Sequence, residues 1–214
     1  MSNVRSSRLP SGDRRRHILD SAVQLFAEKG FSGTTTKEIA AAANVNEATI
    51  FRHFATKEQL YVAILDNHQL NINVENRMAE LREFMERNDD EGLLRTMGTG
   101  MIRAFRENEE FERLMLYASL EGHEIAKLYM QRMGATFIST FRDYLERRQK
   151  EGAMRALDPG LVVLAVAGMF RFYGQVSQLF GPHNKQCIDA DVVDTFVKIL
   201  MAGLCPPTAA ARKI

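Results

Sequence analysis

The stretch that decides the fold is Thr34–Lys57, TTTKEIAAAANVNEATIFRHFATK. Thr35 and Glu38 have capping-box spacing: the threonine hydroxyl and the glutamate carboxylate each satisfy a backbone N–H of the other, which sets a helix start. The helix they open offers Ile39 and the small residues Ala40, Ala42 and Ala43 for burial. It stops at Asn44, a residue that tolerates the left-handed backbone of a sharp turn. Asn46 then caps a second helix, Glu47 to Phe54, with Ile50, Phe51 and Phe54 as its apolar positions. Glu47, Ala48, Thr49, Arg52 and His53 are left pointing away from the core. Thr56 and Gln59 repeat the capping-box spacing and open a third helix. Two short helices joined by a tight turn, the second presenting short polar groups, form the helix-turn-helix pattern that reads a DNA major groove.

Upstream, a helix over Asp13–Lys29 puts Ile18, Ala22, Leu25 and Phe26 on one face, with Gly30 as its stop. Residues 1–12, with Pro10 and Gly12, read as a disordered basic arm. Residues 1–60 carry nine Lys/Arg against six Asp/Glu, a net of +3, while residues 61–214 carry nineteen against twenty-one, a net of −2. The excess lies in Arg5, Arg8 and Arg14–Arg16. A basic arm beside a reading helix suits phosphate contacts.

Residues Arg14 to Leu65 resemble the DNA-binding domain of the TetR family of bacterial transcription regulators. The residues that carry the likeness are Ile18-Leu19, Ala22, Leu25-Phe26, Gly30-Phe31, Thr34-Thr35, Ile39-Ala40, Ala43 and Val45, then Thr49-Ile50-Phe51, His53-Phe54 and Lys57-Glu58. They match in order, spacing and type across three helices, over about a quarter of the chain. The resemblance implies that Thr36, His53 and Lys57 touch phosphates. Two departures stand out: Phe51 replaces a frequent tyrosine, and Glu47 replaces a frequent lysine. From position on the reading helix, Asn46, Glu47, Ala48 and Thr49 are the base-edge candidates, and Arg52 addresses guanine or a phosphate. With Lys37 and Phe51, these residues make up the expected DNA face.

The rest of the chain carries helical periodicity throughout and no strand alternation. The expectation is an all-α chain of about nine helices: a helix-turn-helix domain over 13–60, then a helical-bundle ligand-binding and dimerisation domain over 61–214. The helix from Thr56 is expected to continue past Leu81 as a connector. Asp158-Pro159 opens a helix reaching Phe180 that is apolar all round from Leu161 to Phe170. Such a helix must be covered on every side. A homodimer through 159–180 and the last helix, 189–203, provides that cover, and the family resemblance implies the same contact. The run itself is shorter than the roughly 20 residues of a membrane span, so no membrane partner is expected.

The resemblance further implies a small-molecule effector, bound in the C-terminal domain, that changes the spacing of two reading helices and releases a palindromic operator. Candidate lining residues are His68, Met101, Phe105, Tyr117, Phe137, Phe141, Arg171 and Tyr173. Methionine and aromatic side chains favour a hydrophobic effector, though at helical spacing they more often serve as plain core. Arg171, a cation within an apolar helix, calls for an anionic ligand or a carboxylate.

His17, His53, His68, His123 and His183 are scattered without metal-ligand spacing, and no phosphate-cradling glycine loop occurs. No catalytic residue, metal or cofactor is expected. Cys187 and Cys205 suit a reducing cytoplasm as small apolar residues. The reading is a ligand-responsive, homodimeric transcriptional repressor on double-stranded operator DNA. The alternative is a ligand-independent architectural or cell-division factor of the same fold.

Overall fold

A computed structural model describes residues 11–71, 74–180 and 189–206. Arg5, Arg8 and Cys187, singled out above, lie outside them. Ten helices and no strand occur among the described residues: α1 (Ser11–Lys29), α2 (Thr36–Ala42), α3 (Glu47–His53), α4 (Lys57–Asn71), α5 (Val74–Glu86), α6 (Asp90–Glu107), α7 (Glu109–Leu120), α8 (Glu124–Lys150), α9 (Pro159–Phe180) and α10 (Asp189–Leu204). The all-α class is as expected. The helix expected to run from Thr56 past Leu81 is described as α4 and α5, and residues 72–73 between them lie outside the described residues.

The chain forms two compact units, Met1–Ile72 with Glu110–Tyr129, and Asn73–Glu109 with Met130–Ile214. In the first, α1 packs on α2 and α4, and α2 on α3, with Ile18, Leu19, Ala22, Phe26, Ile39, Ile50, Leu60, Tyr61 and Ile64 buried. This unit takes in α4, most of α7 and the first residues of α8 as well as the three helices read from the N-terminal sequence. Side-chain contacts explain why. The His68 ring stacks on Phe111 with centroids 3.5 Å apart, and Phe111 meets Tyr129 edge-on at 5.5 Å.

The second unit is built around α6, which packs on α5, α9 and α10. Its core contains Leu93, Leu94, Met97, Phe141, Leu145, Val163, Val166, Phe170, Val193 and Val197. Close approach of α6 and α9 depends on two glycines facing two rings. A Cβ on Gly98 would lie 2.4 Å from Phe170, and one on Gly174 would lie 2.5 Å from Phe105. Arg148 grips buried Asp90 with both ends of its guanidinium, at 2.7 and 3.0 Å, and the Tyr144 hydroxyl donates to the same carboxylate. Burial and that carboxylate both push the Tyr144 pKa up.

Helix α9 buries Val162, Val163, Val166 and Phe170 yet exposes Leu161, Leu164, Phe172, Leu179 and Phe180. Leu164 is 68% exposed, and Ile199 on α10 is also exposed. At 22 residues, α9 is by length and composition apolar enough to cross a bilayer, although the run Leu161–Phe170 alone is too short for that.

Candidate nucleic-acid interface

The α2–turn–α3 segment follows the local rules of its sequence. Glu38 N–H donates to Thr35 Oγ1 at 3.2 Å, and Thr35 N–H donates to Glu38 Oε2 at 2.8 Å. The Lys29 ammonium, together with the Thr35 N–H and hydroxyl that donate to Glu38 Oε2, holds the Glu38 carboxyl down at about 2. Asn44 takes φ +50° and turns the chain. Asn46 Oδ1 accepts from Thr49 N–H at 2.8 Å and caps α3. At the next helix, Gln59 N–H donates to Thr56 Oγ1 at 3.1 Å, but the Gln59 side chain reaches Ala55 N–H rather than Thr56.

On α3, Asn46, Ala48, Phe51 and Arg52 are exposed, while Glu47 and His53 are half-buried. Phe51, expected among the apolar positions as well as on the DNA face, is 47% exposed and sits on the outside. Thr49 differs from the expectation of an outward side chain. It is buried, donates from Oγ1 to Asn46 Oδ1 at 2.7 Å, and accepts from Arg52 Nη2 at 2.8 Å. Its hydroxyl therefore steadies the cap and orients Arg52. From α2, Lys37 is exposed, and the Thr36 hydroxyl donates to the Glu47 carboxylate.

Positive charge gathers at the end of α3. The Arg15 guanidinium lies 5.1 Å from the centre of the Phe54 ring. Burial first, then Arg52, Arg14 and Arg15, push the His53 pKa below its ordinary value. Lys57 turns inward: its ammonium donates to the Phe31 carbonyl and sits 4.1 Å from the Phe31 ring centre, and burial lowers its pKa.

The loop before α2 is held by residues the sequence did not flag. Glu121 accepts from Phe31 N–H at 3.0 Å and Ser32 N–H at 3.2 Å, and the His123 ring packs on Phe31 with centroids 4.3 Å apart. Ninety positions separate Glu121 from Phe31 in the chain, so no local pattern marks the pair.

The effector candidates divide between the units. His68 and the half-buried Tyr117 belong to the first. In the second, Phe105 and Phe141 are core residues, while Met101, Phe137 and Tyr173 pack against that core. Arg171 is exposed, with its guanidinium 5.2 Å from the centre of the Phe105 ring. A charged surface depression of ≈ 460 Å³ is lined by Asp143, Glu146, Arg147, Lys150 and Glu151, none of them an effector candidate. Among the described residues, no group of three or more His, Cys, Asp or Glu is placed to hold a metal ion.

The sequence profile "Bacterial regulatory proteins, tetR family" matches residues 18–64. The HTH-type transcriptional regulator YvkB of Bacillus subtilis is 55% identical over 56 residues, covering 26% of this chain and 30% of that protein. The HTH-type transcriptional activator FasR of Mycolicibacterium smegmatis is 32% identical over 88 residues, covering 41% and 38%. The match thus spans less than half the length of either relative. The crystal structure of AibR with isovaleryl coenzyme A and operator DNA superposes with a TM-score of 0.68 at 21% identity, covering 89% of this chain and 99% of that one. At that identity the likeness concerns the fold.

Proposed function

The N-terminal domain of this chain belongs to the tetR family of bacterial regulatory proteins, and on that premise we propose that the chain is a ligand-responsive, homodimeric transcriptional repressor of the cytoplasm. The observation that carries the reading is the α2–turn–α3 unit. Its reading helix is capped at one end, flanked by cations at the other, and shows Asn46, Glu47, Ala48, Phe51 and Arg52 at the surface. Base edges are read from its first turn and by Arg52; Lys37 and His53 serve the phosphates.

Two copies joined through α9 and α10 present two such helices to a palindromic site, with half-site centres about 34–36 Å apart. Exposed Leu161, Leu164, Phe172 and Ile199 support that contact. AibR is a protein of the same fold crystallised with both an acyl-CoA and operator DNA, which supports an effector here. A hydrophobic effector in the C-terminal domain releases the DNA only by preferring the non-binding arrangement of the dimer.

Fluorescence anisotropy of the purified protein against tiled duplexes from the DNA flanking its own gene, at two salt concentrations, tests the reading. Tight binding to one palindromic tile that survives competitor DNA is expected. Equal, steeply salt-dependent binding to every tile would overturn the local repressor in favour of a scattered-site architectural factor.

A further inference from the structure

An acidic side chain on the DNA face of a reading helix requires a physical reason. Glu47 brings a negative charge towards a polyanion, and a carboxylate desolvated against a base edge costs free energy unless it accepts a hydrogen bond there. In this structure the carboxylate is not left to swing in solvent. Thr36, the first residue of α2, donates its hydroxyl to Glu47 Oε1 across the turn. Both residues are half-buried.

We propose that Thr36 and Glu47 form a single base-reading device, in which the Thr36 hydroxyl holds the Glu47 carboxylate so that its free oxygen accepts from the N4 amino group of cytosine in the major groove. Thr36 is the positioning residue and Glu47 the reader. This rests on the DNA-binding reading above and adds to it the class of base recognised.

Cytosine follows from the edges that bases present. A carboxylate only accepts, so guanine, with O6 and N7, and thymine, with O4, repel it. Adenine offers the N6 donor but sets the N7 acceptor beside it. Cytosine offers a donor with no acceptor of its own base alongside. The hydroxyl contributes twice: it occupies one carboxylate oxygen that would otherwise lose its water unpaired, and it removes rotamer freedom before binding. A merely solvated surface glutamate needs no threonine and confers no base preference.

Binding selection from a random duplex library with the full-length protein tests this, followed by anisotropy titration of the retained duplex with each base pair at every half-site position. The wild type should prefer cytosine at one position per half-site by about tenfold over the other bases. Glu47→Gln should shift that preference to adenine, because an amide bonds N6 and N7 together. Thr36→Val should reduce the ratio of affinities for cytosine over the other bases at that position severalfold, the ratio being taken within the variant; Thr36→Ser should restore it. Retention of no duplex at all would overturn the DNA-binding reading, and the device with it. Sequence-specific retention with no cytosine preference, or with one that Glu47→Gln and Thr36→Val leave intact, would overturn the device alone.

Discussion

The Tyr61 ring packs on Phe26, Phe31 and His123, and its buried hydroxyl has no hydrogen-bond partner among the described residues. Burial pushes its pKa up. An unsatisfied buried hydroxyl costs about 1–3 kcal/mol, so Tyr61→Phe is expected to stabilise the protein by about 1 kcal/mol, read as a higher urea midpoint at unchanged slope. A lower midpoint would mean that the hydroxyl is satisfied. Glu38 makes a prediction in pH. Its folded pKa, about 2, lies below the ordinary 4.5 because Lys29 and Thr35 donate to it. A depressed carboxylate contributes stability that is present above the unfolded pKa and is lost as pH falls through the folded one. The stability gap between wild type and Glu38→Gln should therefore be full at pH 7 and close between pH 4.5 and about 2. A gap constant across that window would contradict the ion pair and capping box.

At the level of elements, α6 and α9 carry a paired test. A methyl group on Gly98 meets the buried Phe170 ring, whereas one on Gly100, two residues along the same helix, meets nothing within 4 Å. Gly98→Ala is expected to destabilise by about 1–3 kcal/mol through overpacking. Gly100→Ala is expected to stabilise by up to about 1 kcal/mol, since alanine removes the backbone entropy of a helical glycine. Equal effects in thermal melts would contradict the close approach of the two helices. Elements of this kind were only partly legible in the sequence. The capping box at Thr35, the left-handed Asn44 and the cap at Asn46 are local devices, read from residues three apart and found where expected. The inward turn of Thr49 and the contact of Glu121 were not legible, because neighbours rather than period decide them, and Phe51 was read both as an apolar position and as part of the DNA face. Thr49 is drawn inward by the hydrogen bonds of Asn46 and Arg52, Phe51 faces out although its residue type suggests core, and Glu121 meets the loop before α2 from ninety positions away. The Lys57 ammonium likewise answers to the Phe31 carbonyl, which a family pattern of phosphate contacts does not reveal.

For the whole molecule, the exposed face of α9 and α10 sets the expectation. Exposed large apolar side chains gathered on two helices point to an interaction site, and in the proposed dimer they are covered by the same helices of a second copy. Leu164→Glu changes an exposed position and should leave the helix content and monomer fold unchanged. It should also convert the dimer expected for the wild type in sedimentation velocity into a monomer and weaken operator binding by more than tenfold, because one half-site is then held alone. A wild type that sediments as a monomer at tens of micromolar would contradict the dimer. Most direct for the central claim is dimethyl sulfate protection on the duplex retained by the wild-type protein, which reports guanine N7 in the major groove base by base. Sequence-specific reading by α3 predicts two symmetric protected patches with centres about one helical turn apart, both lost in Arg52→Ala combined with Glu47→Ala. Binding with no major-groove protection, or protection unchanged in that variant, would contradict it.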